Sequence, residues 1–383
     1  MGGTRAARLD SLDLLRGFVM ALMALDHTRD YWSSSRFDPT DLAVTTPALF
    51  ATRWITHLCA PVFMLLVGTG AYLSLARGMS KRSLSRFLLT RGVWMIILEF
   101  TVVKLGWFLT DFNPGLYLLL VLWALGWSMI ILAALIHLPM WAIATISTVI
   151  VVGHNALDGI HSADLGAFGP VWAVLHQGGP VVSGGGFEVF AAYPLIPWMG
   201  VAGLGYVLGA VLSRDDVQGD PARRRRLLVG IGAALLALFA VLRVADVYGE
   251  PMSWMTRGDT ATTVMSFFSV SKYPPSLCYL CATLGVAMLL LAAFDRWRGG
   301  LAEVLITFGR VPMFYYLLHI PLVHIAANLA YGGERGLFSD DPWGIPLWGV
   351  YAVWIAACVL LYPLCRWYAA VKSRSTSAWL RYL

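Results

Sequence analysis

The sequence predicts an all-α integral membrane protein with about ten transmembrane helices and with both termini in the cytoplasm. Of its 383 residues, 58% are hydrophobic and only 13% are charged, whereas soluble domains carry about 25% charged residues. The mean hydropathy of the chain is +0.69. Because no stretch between the apolar runs is long enough for a separate soluble domain, residues 1–383 are predicted to form a single membrane domain.

Ten apolar runs reach the length of about 20 residues that a helix needs to cross the hydrocarbon core of a bilayer. The first run carries Arg16, Asp26 and His27, which a cleaved signal peptide would not carry, so it is predicted to be a retained helix. The predicted helices cover residues 12–32, 49–76, 88–109, 115–135, 138–155, 187–213, 226–245, 273–295, 303–331 and 344–368.

The orientation follows from the uneven distribution of Lys and Arg, which cytoplasmic loops hold in excess. With the N-terminus inside, the predicted inner segments hold most of these residues, including the run from Arg223 to Arg226, and the outer loops hold few. The net charge of +6 therefore reflects membrane topology, and nucleic acid is not predicted as a partner. The five cysteines lie in apolar segments, where they are expected to pack as small side chains, and no metal is predicted.

Arg16 and His27 share one face of the first predicted helix. Ten residues lie between them, so over the eleven steps of an α-helix they point within about 20° of each other at a rise of about 16 Å. Ionisable side chains inside a membrane-length apolar run are costly and usually have a function. The arrangement suits a protein that works across the membrane.

Charged neighbours surround the candidate catalytic residues His27, Asp26 and His57. Asp26 precedes His27, and Arg53 lies one helical turn before His57. A carboxylate near an imidazole raises its basicity and fixes its tautomer, which makes it a usable general base. The alternative, which the sequence leaves open, is a structural ion-pair network that joins three helices.

Basic residues are expected to surround the inner mouth of the bundle, where they could hold the phosphates of a coenzyme A molecule. Setting the membrane topology is a sufficient role for most of them, but Arg16 lies inside an apolar run and needs another explanation. The residues concerned are Arg16, Lys81, Arg82, Arg86, Arg91 and the run from Arg223 to Arg226.

The spacing Arg-x10-His on the first helix resembles the signature of the membrane acyltransferases called acyltransferase family 3. The surrounding sequence is similar to a neighbouring group, the bacterial relatives of heparan-alpha-glucosaminide N-acetyltransferase. The stretches that carry this likeness are RLDSLDLLRG at 8–17, APVFMLLVG at 60–68, YPLIPWMG at 193–200, KYPPS at 272–276 and YYLLHIP at 315–321. They extend over most of the chain.

The resemblance implies a multi-pass protein of the bacterial cytoplasmic membrane that moves an acyl group, usually acetyl from cytoplasmic acetyl-CoA, to a sugar on the far side. It implies that His27 is catalytic and that Arg16 supports donor binding or helix architecture. The animal enzymes place Asn at this first-helix position and a His in the first luminal loop, whereas residues 33–48 here contain no His. The choice between a glucosamine nitrogen and a sugar hydroxyl as acceptor therefore stays open.

The sequence thus predicts an acetyl-CoA-dependent N- or O-acetyltransferase in which His27, aided by Asp26 or His57, acts as general base on a sugar or glycoconjugate acceptor. The developing oxyanion needs a donor, for which Arg53, Tyr316 and His319 are the candidates. Trp198 is a candidate for stacking on a sugar ring.

An alternative is a secondary transporter or exporter in which Arg16, Glu99, Lys104 and His27 form an ion relay. The glycines at 200, 203, 205 and 209 favour close helix packing, and the Gly-rich helices would permit a homodimer.

Overall fold

The computed structural model describes residues 9–109, 115–333, 343–375, 377 and 380 as a helical bundle with one small sheet. The predicted fold class is confirmed, since most described residues are helical. The helices are α1 Asp10–Trp32, α2 Pro47–Thr56, α3 Cys59–Ala76, α4 Lys81–Leu98, α5 Lys104–Trp107, α6 Val121–Leu135, α7 Met140–Gly153, α8 Gly169–Trp172, α9 Leu195–Leu212, α10 Asp215–Gln218, α11 Pro221–Ala245, α12 Thr260–Phe268, α13 Leu277–Phe294, α14 Gly300–Arg310, α15 Pro312–Tyr331 and α16 Leu347–Arg374.

Seven helical segments in the described part of the chain are long and apolar enough to cross a membrane, and the predicted count of ten spans remains a prediction. Charged residues near both ends of α1 keep it outside this set, and α6 is shorter than the others. The seven segments are Pro47–Ala76, Met140–Leu157, Leu195–Leu212, Pro221–Ala245, Leu277–Phe294, Pro312–Tyr331 and Leu347–Arg374.

Two of the predicted helices are broken. The predicted helix 49–76 divides into α2 and α3 at a turn containing His57. The predicted helix 303–331 divides at Val311, between α14 and α15. Pro312 explains the second break, because proline excludes the preceding residue from helical backbone angles and itself favours the first position of a new helix.

Two further predicted helices begin as strands. The strands β1 Leu116–Leu119, β2 Gly179–Gly184 and β3 Phe187–Ala191 form a sheet in the order β1-β3-β2. β1 runs parallel to β3, and β2 and β3 form an antiparallel hairpin. The predicted starts at 115 and 187 were therefore wrong, because short apolar runs bounded by glycine or proline are ambiguous between helix and strand.

The core is centred on α1, which packs against α3, α13, α14, α15 and α16. Gly17 of α1 and Gly309 of α14 allow the closest approach, because a Cβ on either would overlap the backbone of the other helix. Gly205 of α9 contacts Leu65 of α3 in the same way. The predicted glycine face of α9 is thus used for packing inside one chain.

Because α1 extends through the bundle, it defines two ends that are named here by their residues. The Arg16 end also contains the first residues of α11 and the last residues of α13, since Ser11 donates to Asp295, which pairs with Arg224. The His27 end contains α2, and the sheet lies at this end, where Leu118 and Phe190 line the same cavity as His27.

Candidate active site

His27 and His319 form a hydrogen-bonded pair at the His27 end. His27 Nδ1 lies 2.7 Å from His319 Nε2, and the two rings stack with their centroids 4.9 Å apart. α1 supplies His27, and α15 supplies His319, which is completely buried. Both histidines were candidate site residues in the sequence, and the structure brings them into direct contact.

The hydrogen bonds of the pair decide which ring nitrogens carry protons. His319 Nδ1 lies 3.2 Å from the carbonyl oxygen of Tyr315, which can only accept, so Nδ1 donates and Nε2 of neutral His319 accepts. His27 Nδ1 must then donate to His319, which leaves His27 Nε2 without a proton. His27 is only partly buried and lines a cavity, so this nitrogen is suited to the role of a general base.

Asp26 forms an ion pair network beside His27. Its carboxylate accepts hydrogen bonds of 2.9 Å and 2.7 Å from Arg53 Nη1 and lies 2.8 Å from Arg29 Nη1. Arg29 Nη2 also pairs with Asp30, at 2.8 Å. The network joins α1 to α2, so Asp26 is engaged by cations, whereas the ring of His27 contacts His319 and Trp107.

A cavity of about 300 Å³ lies against His27, between the helix bundle and the sheet. Aromatic side chains form much of its lining and offer flat apolar faces of the kind on which sugar rings stack. The lining includes the aromatic residues Trp107, Phe190, Tyr193, Tyr273 and Tyr316 and the charged residues Asp26, Arg29, Asp30, Arg53 and Lys272. We call this space the His27 cavity.

The lining of the His27 cavity contains one more cation than carboxylates. Asp26 and Asp30 pair with Arg29 and Arg53. Lys272, which is buried, instead places Nζ over the ring of Tyr273, 5.0 Å from its centroid. The lining therefore carries an excess of one positive charge, which suits a negative charge on a ligand or a reaction intermediate.

The pKa values of two tyrosines outside the membrane-spanning helices are shifted in opposite directions. Burial raises the pKa of the Tyr273 hydroxyl, but the positive charges of Lys272 and Arg53 outweigh it and hold that pKa below its ordinary value. Burial and the neighbouring Tyr273 raise the pKa of Tyr193 well above its ordinary value. Tyr193 is therefore a neutral hydroxyl, and the pKa of Tyr273 indicates a positive potential in the cavity.

The Arg16 end contains two adjoining cavities, an outer one of about 660 Å³ and an inner one of about 300 Å³. Arg16 lines both, and its Nη1 donates to Asp13 at 3.0 Å and to the carbonyl oxygen of Gly309 at 2.9 Å. Asp13 is the carboxylate in this lining. The cations are Arg16, Arg77, Arg310, Arg366 and Lys372 in the outer cavity and Arg16, Arg91, Arg310 and Lys372 in the inner one.

Tyr316 and Val121 separate the inner cavity of the Arg16 end from the His27 cavity, because both residues line both spaces. The ring of Tyr316 lies 5.5 Å from that of His319. A path from the basic mouth to the histidine pair is therefore closed by about one layer of side chains. Tyr316, predicted as a site residue, occupies this boundary.

Four predicted site residues lie outside the lining of the His27 cavity, namely Arg16 at the other end of α1, His319 in contact with His27, and also His57 and Trp198. His57 is buried at the end of α2, where its ring contacts Tyr279 and its carbonyl oxygen accepts from the Tyr279 hydroxyl. Trp198 is completely buried, with its ring 5.7 Å from that of Tyr193. Both stand behind the residues that line the cavity.

Sequence reasoning missed Lys272, Trp107, Tyr193 and Tyr273 as lining residues. Lys272 and Tyr273 belong to the KYPPS stretch, and Tyr193 begins the YPLIPWMG stretch. Proline and aromatic residues next to a lone cation in a predicted outer loop were a usable signal. Trp107 carried no such signal, because it lies in an apolar run.

A comparison with protein families identifies the chain. The family model for the catalytic region of heparan-alpha-glucosaminide N-acetyltransferase matches residues 8–244, which is more than half of the sequence. The chain belongs to this family. It is therefore a membrane acetyltransferase, as the resemblance implied. A comparison with curated proteins gave no match.

The part of the chain that matches the glucosaminide acetyltransferase family includes α1, α2 and the start of the site. Arg16, Asp26, His27 and Arg53 lie inside the matched range, whereas Lys272, Tyr316 and His319 lie beyond it. The bundle brings Asp26, His27 and Arg53 together with Lys272, Tyr316 and His319 at the His27 end. The site is therefore assembled from the matched region and from the helices that follow it.

Proposed function

We propose that this membrane acetyltransferase takes its acyl group, acetyl in the first instance, from acyl-CoA bound at the Arg16 end and delivers it to a sugar or glycoconjugate at the His27 end. The observation that carries the proposal is the histidine pair, in which His27 lines a cavity that shares Val121 and Tyr316 with a basic cavity. In the proposed setting, the bacterial cytoplasmic membrane, the Arg16 end faces the cytoplasm.

The Arg16 end fits the phosphates of coenzyme A. The outer cavity has five cations and one carboxylate in its lining, and guanidinium groups bind phosphate with two parallel hydrogen bonds. The inner cavity is mostly apolar, with Met20, Phe63 and Leu125 among its lining residues. It would receive the uncharged arm of the donor and direct the thioester towards Tyr316.

In the proposed step, the hydroxyl oxygen or amine nitrogen of the acceptor attacks the thioester carbonyl carbon. His27 Nε2 accepts the proton that this oxygen or nitrogen loses. The new C–O or C–N bond forms and the C–S bond breaks. The proton then passes from His27 to the departing sulfur, which leaves as the thiol of coenzyme A. His319 keeps the ring of His27 in the required tautomer and orientation.

The oxyanion that develops in this step requires donors. His319 Nε2 accepts within the histidine pair, and Arg53 Nη1 is held by Asp26. We therefore assign stabilisation of the oxyanion to the hydroxyl of Tyr316 and the ammonium of Lys272. Asp26 would act as a positioning residue that fixes the cations around the cavity.

For the acceptor, Trp107, Tyr193 and Phe190 offer flat faces in the cavity. Trp198 would support Tyr193 from behind. Neither the amine nor the hydroxyl is favoured by these contacts, because a neutral imidazole can accept a proton from both.

The transporter alternative receives less support. Glu99 accepts hydrogen bonds from the backbone amides of Leu122 and Trp123 at 2.8 Å and 3.0 Å, so it is engaged at the start of α6. Lys104 Nζ lies 3.8 Å from the centroid of the Tyr117 ring. Both groups have partners other than Arg16 and His27, and membership of an acetyltransferase family favours the enzyme.

The decisive experiment separates donor and acceptor by a membrane. The purified protein is reconstituted into liposomes that contain an amino- or hydroxyl-bearing oligosaccharide, and labelled acetyl-CoA is added only outside. Acetylated oligosaccharide inside the vesicles is expected with the wild-type protein and with His137→Gln, a control for a histidine away from the site, and not with His27→Gln or protein-free liposomes.

Two results would count against the proposal. Product formation by His27→Gln at the wild-type rate would remove His27 as the base. Movement of the oligosaccharide or of protons across the membrane without acetyl-CoA, together with no acetylation, would replace the enzyme with the transporter.

A further inference from the structure

A groove of about 700 Å³ lies between α11 and α13, near the Arg16 end of the bundle. Its lining is apolar along most of its length and basic at one end. The residues are Ala222, Val229, Gly230, Leu289, Ala292 and Ala293, with Arg225, Arg226 and Arg296 at the basic end. It shares no lining residue with the Arg16-end cavities or with the His27 cavity.

Close packing deeper in the bundle creates this groove. α11 and α13 meet at Gly232 and Gly285, where a Cβ on either glycine would come within about 3 Å of the other helix. A Cβ on Gly230, by contrast, would meet no atom within 4 Å. Two helices in tight contact at one level therefore leave an open channel beside Gly230.

The groove faces the space that lipid occupies. Only 22% of the most apolar stretch of α11 is buried inside the protein. Val229 and Val241 on this helix are exposed. Beyond Arg226 the apolar lining continues to Gly230, about 6 Å along the helix. An apolar channel of this length, open to the hydrocarbon core, fits part of a lipid acyl chain.

Nearby carboxylates balance only part of the charge at the basic end, where Asp220 interacts with Arg226. Asp295 is held by Arg224 through bonds of 2.7 Å and 2.9 Å and also accepts from Ser11, so Arg225 reaches it only at 3.9 Å. Asp220 accepts from the backbone amides of Ala222 and Arg223, at the start of α11.

Asp216, the next carboxylate along the chain, is also engaged, since it pairs with Arg214 and Arg223. Arg225, Arg226 and Arg296 therefore present a positive surface directly above the apolar channel. Basic pockets between transmembrane helices are suited to anionic lipid headgroups.

We propose that this groove binds one anionic phospholipid, with its headgroup phosphate on Arg226 and Arg296 and one acyl chain along Val229 and Leu289. A soluble phosphate would satisfy the arginines alone. The apolar channel that continues from them favours a ligand in which phosphate and hydrocarbon are joined. Arginine suits this role, because its guanidinium binds phosphate with two hydrogen bonds.

The test measures lipid binding to the detergent-purified protein by native mass spectrometry, with phosphatidylglycerol and phosphatidylcholine of equal chain length. Wild-type protein is expected to bind phosphatidylglycerol at least about tenfold more tightly. The double variant Arg226→Gln/Arg296→Gln is expected to lose this preference, whereas the matched control Arg298→Gln, at an exposed residue outside the groove, is expected to keep it.

A second variant tests the hydrocarbon part and does not depend on the folding of the first. Gly230→Leu is expected to fill the channel, because a Cβ at this position meets no atom within 4 Å. It keeps all the arginines and is expected to weaken phosphatidylglycerol binding about tenfold. Equal affinity of the wild-type protein for the two lipids would overturn the proposal. So would displacement of the lipid by inorganic phosphate or coenzyme A, or an unchanged preference in both groove variants.

Discussion

The two ends of α1 carry the same kinds of charged residue but organise them differently. At the Arg16 end, cations with few carboxylates surround a wide basic cavity. At the His27 end, Arg29 and Arg53 are locked to Asp26 over distances of 2.8 Å and 2.7 Å, and the histidine pair is held by a chain of hydrogen bonds. One end resembles a surface for binding phosphates, and the other resembles a preorganised site for chemistry.

If this division is correct, His27→Gln should have the largest effect. Loss of the base is expected to lower kcat by about 10³-fold, within the range for general-base catalysis, and to leave the KM for acyl-CoA within about twofold. Steady-state kinetics in detergent check this, with His137→Gln as the control. A large rise in the KM for acyl-CoA with unchanged kcat would place donor binding at the His27 end and contradict the division of roles between the two ends.

His319→Leu should have the next largest effect, because it removes the acceptor that fixes the tautomer of His27. We expect kcat to fall by about 10²-fold. Residues that act as a unit are not additive, so the double variant with His27→Gln should be no slower than His27→Gln alone. An additive loss in the double variant would show that the two histidines act independently.

Arg16→Gln is expected to raise the KM for acyl-CoA about tenfold and to change kcat little, since it removes a charge that binds the donor before and during the reaction. Thermal unfolding of the variant must be measured beside the kinetics, because Arg16 also donates to Gly309. Arg16→Lys retains the charge and should recover part of the affinity. A fall in kcat at unchanged KM would contradict the assignment of this end to binding.

Lys272→Met should have the smallest effect of the four, a decrease in kcat of about tenfold, because Tyr316 would still stabilise the oxyanion. Lys272→Arg keeps the positive charge and should recover most of the rate. If Lys272 had only a structural role, the folded Lys272→Met and Lys272→Arg variants would be equally active. The measurement is kcat at saturating acyl-CoA. An unchanged kcat in Lys272→Met would indicate that the excess positive charge of the cavity binds the acceptor and does not stabilise the oxyanion.

Much of the architecture could be predicted from patterns within single segments. The all-α membrane class followed from composition, and α1 begins and ends within two residues of its predicted bounds. The breaks at His57 and Val311 and the strands β1 and β3 were missed. Apolar composition reports burial in lipid or protein, but it does not report where a continuous apolar run changes direction.

The site divides in the same way. Arg16 and His27 could be found in the sequence because their cost in an apolar helix is a local property. Lys272, Trp107 and Tyr193 could not be placed, because a residue becomes part of a cavity only through the packing of its own segment against others. His57 and Trp198 were predicted as site residues from the sequence, but the packing of their segments places them behind the residues that line the cavity.

By itself, the sequence determined that this chain is a helical membrane protein and that one helix carries a cation and an imidazole about 16 Å apart on one face. The tertiary structure decided that His27 meets His319, 292 residues away in the chain, and that Tyr316 and Val121 separate two cavities. The physical reason is that helix periodicity and the cost of burying charge act within a segment. Hydrogen bonds between helices and the spaces left by their packing depend on segments that are far apart in sequence.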